Sequence, residues 1–373
     1  MGLAARAAKY EVGMTFEQGA EIEGRDELEP ALGQTLSIAG VRRRRGLPKL
    51  LSLFSGAGGM DLGFHQAGYR VALAIDASKA AISSFKHNFP KTKAVAADLT
   101  QLGPNGVLEL LREQLPLGSK LGVIGGPPCQ GFSRANTGAL STDPRNSLPK
   151  LYLEIVENLQ QVYDVQFLVI ENVMGITDKK HSETYSALVN GISGLGFSVT
   201  ESRVCALDHG VPQTRNRVIL TGLKTSRQSC KLKLRRRKGP QYVYEAIAGL
   251  AEPEYFKHGA NCKEFPVHPN HWTMNPRSSR FDGTLIPSST RRSFKMLTWK
   301  APSPTIAFGN REIHVHPSGR RRLSVYEAML LQGFPTTFEL KGNFSEQVLQ
   351  ISNAVPPPLA RSVALAVSHA MEW

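Results

Sequence analysis

From Lys49 to Leu223 the chain alternates short apolar runs with helix-like stretches. The runs predict strands at Leu50–Phe54, Arg70–Asp76, Ala94–Leu99, Gly122–Gly125, Gln166–Glu171, Ser198–Ala206 and Arg217–Gly222. Helices are expected to start near Gly59, Lys79, Asn146 and Ser182. Such alternation is the mark of a parallel sheet with crossover helices, a doubly wound α/β fold. Past Leu223 it gives way to Arg, Lys, Pro, Ser and His with few apolar runs, so a boundary near 223 is predicted. An apolar helical pattern returns at Leu359–Met371, after Pro356-Pro-Pro358, and needs a surface to pack on. Residues 1–48 lack periodicity and read as a flexible extension, in which Val41-Arg-Arg-Arg-Arg45 is a solvated charge run or a further polyanion contact.

Composition narrows the partners. The chain has 373 residues, 41% of them apolar, enough to bury a large core. The excess of 45 Lys and Arg over 31 Asp and Glu gives a net charge of +14. Residues 1–40 hold seven acids against three bases, leaving about +18 on the remainder. That imbalance points to a polyanion, with nucleic acid the leading candidate. Cysteines 129, 205, 230 and 262 form neither a C-x-x-C pair nor a metal-ligand spacing, which favours a reducing intracellular setting without disulfides or zinc. No apolar run approaches a membrane span, so a soluble, cytoplasmic protein is expected.

Candidate chemistry gathers at the predicted strand ends. The first strand runs into Ser55-Gly-Ala-Gly-Gly59, a turn whose glycines let backbone amides approach a ligand. Asp76 ends the second strand, twenty residues after Gly56, where a carboxylate can accept both hydroxyl hydrogens of a ribose. Asp98 closes the third in the same way, and either Asp could instead cap the next helix. Together they suggest an adenosine-containing cofactor, either a nicotinamide dinucleotide or S-adenosylmethionine. The fourth strand leads into Gly125-Gly-Pro-Pro-Cys-Gln-Gly-Phe-Ser133, where Pro127 and Pro128 fix the backbone before Cys129. A lone cysteine is usually an inert buried hydrophobe. On a rigid turn beside a cofactor loop, it is placed for nucleophilic work. Glu171 leaves the apolar strand Phe167–Val173 at the same edge and is expected to hold its proton. Gln213-Thr-Arg-Asn-Arg217 sets two arginines two apart, on one face of a strand.

In order, the chain presents Phe54–Gly59, Asp76 with Asn88, Asp98, Pro127-Pro-Cys-Gln130, Asp143-Pro-Arg145, Glu171-Asn-Val173, Gln213–Arg217, Arg322-Leu-Ser-Val-Tyr-Glu327 with Gln332-Gly-Phe-Pro335, and Gln350–Val355. This succession resembles the DNA (cytosine-5)-methyltransferase family of bacterial restriction–modification systems, over residues 49–367 with a gap at about 224–300. The resemblance implies a Rossmann-like methyltransferase domain at 49–222, a smaller target-recognition domain at 223–344, and a segment at 345–373 returning to the first. It implies Cys129 as nucleophile, Glu171 at ring N3 and the exocyclic amine of cytosine, and Arg217 with Arg215 at the base oxygen. It places Phe54, Gly56, Gly58, Gly59, Asp76, Asp98, Pro128, Leu148 and Asn353 around S-adenosyl-L-methionine. Double-stranded DNA is the implied partner, with a cognate restriction endonuclease, and the implied state is a monomer.

Carbon 5 of cytosine is too poor a nucleophile to take a methyl group unaided, and thiolate attack at carbon 6 would make it an enamine. The base must leave the helix to be reached, and basic runs at Lys224–Lys238, Arg277–Lys300 and Arg320-Arg-Arg322 are expected to meet phosphates. The chain departs from the family at Ala77 and Ser78, where an apolar or aromatic residue and then an acid are common, and at Ser352, where Gly is usual. Three rivals remain: the tRNA-methylating branch, whose usual Cys-Phe-Thr is absent; a non-catalytic DNA-binding regulator; and a nicotinamide dehydrogenase.

Overall fold

The computed structural model describes residues 46–128, 147–225, 232–237, 239, 241–257, 259, 262–277, 279–282, 295–306 and 314–373. Cys129, Asp143–Arg145 and residues 1–45 lie outside them.

The chain begins β1 (Lys49–Leu53), α1 (Gly59–Gln66), β2 (Arg70–Asp76), α2 (Lys79–Asn88), β3 (Lys93–Ala96), α3 (Leu99–Arg112) and β4 (Lys120–Gly125). It continues through α4 (Leu148–Gln160), β5 (Asp164–Val173), α5 (Ser182–Gly194), β6 (Ser198–Cys205), β7 (Gln213–Thr214) and β8 (Asn216–Leu223). Seven strands form one sheet in the order β3-β2-β1-β4-β5-β8-β6. The pairs from β3 to β5 are parallel, as expected, but β8 pairs antiparallel with both β5 and β6. The parallel expectation fails at β8 because β6 reaches it through a short connection, whereas a parallel neighbour needs a helical crossover.

Side-chain parity along the strands explains the layers. Leu51, Leu53, Leu168, Ile170, Val218 and Leu220 share one core with residues of α3, α4 and α5. Leu50, Phe167, Val169 and Ile219 share another with residues of α1 and the last helix. The helix at 99–112 is not among those the sequence pattern predicts, and it contains Gly103-Pro104. Gly103 does leave helical geometry, at φ 63° and ψ 175°, while Asp98 caps the start and Leu108 and Leu111 are buried in the second half.

Beyond β8 come α6 (Val243–Ile247), β9 (Glu254–Tyr255), β10 (Trp272–Thr273), β11 (Lys295–Met296), β12 (Ser303–Pro304), β13 (His314–Val315), α7 (Val325–Leu331), α8 (Phe344–Asn353) and α9 (Pro357–Ala370). Their apolar residues, among them Trp272, Met329, Phe334 and Phe338, share a core with Ala57, Leu62, Ile82, Phe85 and Phe89 of the sheet region. Asn88 fastens this junction, donating to Glu339 O at 2.7 Å and accepting from Glu339 N at 3.1 Å.

The surface that Leu359–Met371 needs is α1. The two helices approach so closely that a Cβ on Gly63 would fall 2.5 Å from Ala360 Cβ, Arg361 N and Pro357 O. A Cβ on Gly59 would fall 2.4 Å from Val355 O. Two glycines four apart on α1 thus make the trough in which the chain's last helix lies.

Candidate active site

The carboxyl ends of β1, β2, β4 and β5 form one rim, the edge at which open α/β sheets bind ligands. At β1 the chain turns through Phe54, a non-glycine residue held at φ 54°. It then passes Gly56 at φ 54° and Gly58 at φ 97°, which caps α1. Strain at a non-glycine residue persists only where surrounding contacts enforce it. The contacts here are Ser55 N donating to Ile75 O at 3.1 Å and Gly56 N donating to Asp76 Oδ2 at 2.9 Å. Asp76 Oδ1 accepts from Ser78 N at 2.8 Å, so the carboxylate is fixed from both sides. Burial makes the carboxyl hold its proton more tightly, raising its pKa above the ordinary carboxylate value.

Asp98 lies two residues past β3 and not on the strand. Its Oδ1 accepts from Thr100 N at 2.9 Å and Thr100 Oγ1 at 2.8 Å, so it does cap α3 while remaining exposed. Leu148 is the buried first residue of α4, and Asn353 the exposed last residue of α8. Pro128 is exposed, three residues past the end of β4. A Cβ on Gly56 would have nothing within 4 Å, so space opens in front of the loop. That space, amides held at the start of α1, and a fixed carboxylate at the end of β2 fit a ribose-bearing ligand.

Glu171 and Arg217 meet because β8 is antiparallel. The register sets Glu171 against Ile219 and Val173 against Arg217. Residues 217 and 219 share a face, so Arg217 lies diagonally beside Glu171 on that face. Its Nε is 2.8 Å from Glu171 Oε1, with each side chain 11% exposed. Glu171 is therefore not in the wholly apolar surround that its strand sequence suggested. A Cβ on Gly126 would come 3.3 Å from Glu171 Oε2, which brings the approach to Pro127-Pro128 against the same carboxylate.

Arg215 takes a different course. It is 2% exposed, and its Nη2 donates to Ala354 O at 2.9 Å and Ser352 O at 3.3 Å. Desolvation, then the repulsion of Arg217, lower its pKa well below the ordinary guanidinium value, against the pull of Glu171. Residue 213, earlier in the same motif, ties this strand to the second region: β7 pairs with β12, and Ser303 N donates to Pro212 O at 2.9 Å.

Sequence reasoning passed over Asp61 and gave Gln332 no role beyond its place in a motif. Asp61 is fully buried in α1, and burial pushes its carboxyl up to about 7. The available signal was an acid on the face of an otherwise apolar and glycine-rich helix. Gln332 donates from Nε2 to Ile351 O at 2.7 Å. The basic runs also need correction at Arg321, which is buried. It is engaged by Glu327 at 2.9 Å through both terminal nitrogens and by Glu252 at 2.7 Å. An arginine so engaged is withheld from phosphates. Arg320, Lys233, Arg235, Arg236 and Arg237 are exposed, with Leu232 and Leu234 turned into the core between them. Among the described residues no helix is long and apolar enough to cross a membrane.

A family model described as C-5 cytosine-specific DNA methylase matches residues 48–369. The chain is 29% identical over 350 residues to the Type II methyltransferase M.FnuDI of Fusobacterium nucleatum, covering 87% of this chain and 95% of that protein. It is 30% identical over 349 residues to M.MthTI of Methanothermobacter thermautotrophicus, covering 87% and 98%. Its fold is similar, at a TM-score of 0.71 and 24% identity, to a prophage-encoded Escherichia coli protein described as a candidate DNA modification methyltransferase. That likeness covers 88% of this chain and all of the other.

Proposed function

The chain belongs to the C-5 cytosine-specific DNA methylase family and is a DNA cytosine-5 methyltransferase, and from that premise we propose how its residues divide the work. The target cytosine is turned out of the duplex and held against Glu171 and Arg217. The observation that carries this is the 2.8 Å pairing of those two side chains, at the rim reached by Gly125-Gly126 just before Cys129.

The Cys129 thiolate attacks carbon 6, forming a carbon–sulfur bond and driving electron density toward carbon 5, N3 and the base oxygen. Glu171 places a proton at N3, and the Arg217 guanidinium offsets charge at the oxygen. S-adenosyl-L-methionine, when bound, supplies an electrophilic methyl group. Phe54, the Gly56–Gly59 turn, Asp76, Asp98, Pro128, Leu148 and Asn353 hold it, with Asp76 at the ribose. A base, for which water serves, then takes the carbon 5 proton, Cys129 is expelled as thiolate, and the N3 proton returns to Glu171 as aromaticity is restored. Arg215 stands behind this arrangement.

The setting is a bacterial restriction–modification system in the cytoplasm, in which methylation protects a short duplex sequence from a cognate restriction endonuclease. The enzyme acts as a monomer, reads its target with residues 223–344, and completes its catalytic domain, 49–222, with 345–373. The bases of 224–238 and 277–300, with Arg320, meet phosphates, so binding weakens with salt. The test is transfer of labelled methyl groups to unmethylated duplex DNA with base-resolution mapping. Label on carbon 5 within one short sequence, abolished in Cys129→Ser, is the expected result. Label transferred by Cys129→Ser at the wild-type rate removes the covalent step, and label appearing only on tRNA removes the DNA substrate.

A further inference from the structure

A helix ends with carbonyls that its own turns leave short of partners, and around the end of α8 at Asn353 three carbonyls, those of Ile351, Ser352 and Ala354, accept from side chains outside the helix. Gln332 Nε2 donates to Ile351 O at 2.7 Å. Arg215 Nη2 donates to Ser352 O at 3.3 Å and to Ala354 O at 2.9 Å, so the two acceptors bracket Asn353. The donors come from places far apart in sequence, the link between β7 and β8 and the end of α7, and both residues are buried. Asn353 itself is exposed.

We propose that Arg215 and Gln332 are positioning residues that clamp the end of α8 and so hold Asn353 toward the cofactor. Three features support it. Nη2 of Arg215 is committed to backbone carbonyls. The guanidinium lies at the carboxyl end of a helix, where a cation meets the negative end of the helix dipole. Burying a guanidinium among neutral carbonyls is costly, so this placement is retained against its desolvation, with one nitrogen meeting both carbonyls. Arg215 is also two residues from Arg217, which meets Glu171, so one strand start joins the base side of the site to the cofactor side.

The inference rests on Asn353 being a cofactor contact, and the experiment separates the two. S-adenosylhomocysteine binding to the full chain is measured by titration calorimetry for Arg215→Lys, Gln332→Met and Asn353→Ala, beside duplex DNA binding and steady-state kinetics. Expected are affinities for S-adenosylhomocysteine on the order of tenfold weaker in all three, the scale of one lost buried hydrogen bond to a charged or polar donor. DNA affinity holds, and KM for S-adenosylmethionine rises while kcat at saturation stays within about twofold. Gln332→Met removes no charge, so it decides the matter should Arg215→Lys fail to fold. Weakened binding in Asn353→Ala alone overturns the clamp. Undiminished binding in Asn353→Ala overturns the cofactor assignment beneath it. Wild-type S-adenosylhomocysteine affinity in Arg215→Lys with collapsed kcat overturns the clamp and returns Arg215 to the base.

Discussion

Replacing Asp61 with asparagine is expected to stabilise the protein, and more so as pH rises. Asp61 is completely buried in α1, facing Ser52 and within electrostatic reach of Asp76. Burial is the largest influence and lifts its carboxyl from the ordinary 3.8 to about 7. A carboxyl whose affinity for protons is higher in the fold than in the unfolded chain favours folding most when both forms are protonated. Its contribution falls as pH climbs from about 4 to about 7, and above that the fold carries a buried charge. At 1.36 kcal/mol per pH unit, that interval corresponds to at most about 4 kcal/mol. Relaxation around the charge reduces the expected gain of D61N to about 2 kcal/mol at pH 8, or roughly 4 °C in melting temperature. The assay is urea unfolding of wild type and D61N from pH 5 to pH 8. Other titrating groups are common to both proteins, so the difference between them isolates this carboxyl. A difference that does not change with pH, or a less stable variant at pH 8, would refute the reasoning.

Gly63→Ala is expected to lower stability by about 1–2 kcal/mol. Overpacking against Ala360 and Pro357 outweighs the roughly 1 kcal/mol that alanine offers a helix, and a raised melting temperature would contradict the tight α1–α9 contact. Arg321→Met should cost about 3–5 kcal/mol by leaving Glu327 buried without its partner, and adding Glu327→Gln should restore much of that. Chemical denaturation of both variants checks this, and equal losses in single and double variants would show that the pair is not coupled. Glu171→Gln should keep the fold and DNA affinity while slowing methyl transfer by about 10²–10⁴. Single-turnover rates measure it, and a variant retaining a tenth of the wild-type rate would remove Glu171 from proton handling.

Much of the sheet was legible because each strand carries its own signal. Leu50–Phe54 and Gln166–Glu171 are apolar on both faces, and helices cover both faces of the sheet there. Asp76 was legible as a fixed carboxylate because a strand end followed by a helix cap is a local pattern. The helix over 99–112 was hidden by Gly103-Pro104, since local punctuation spoke against a helix that tertiary burial of Val107, Leu108 and Leu111 sustains. Arg321 was hidden among its neighbours Arg320 and Arg322 because three adjacent arginines look alike until one is seen to be buried.

The sequence by itself determined which residue types stand at the strand ends, their order, and the family to which that order belongs. These follow from periodicity and turn chemistry, which act over a few residues. Only the tertiary structure decided the direction of β8, and with it the meeting of Glu171 and Arg217. It alone decided that Arg215 turns away to residues 352 and 354, and that Gly63 is the floor on which α9 lies. Pairings across 46 and 139 residues of chain depend on which surfaces the packed fold leaves adjacent, and no local pattern records that.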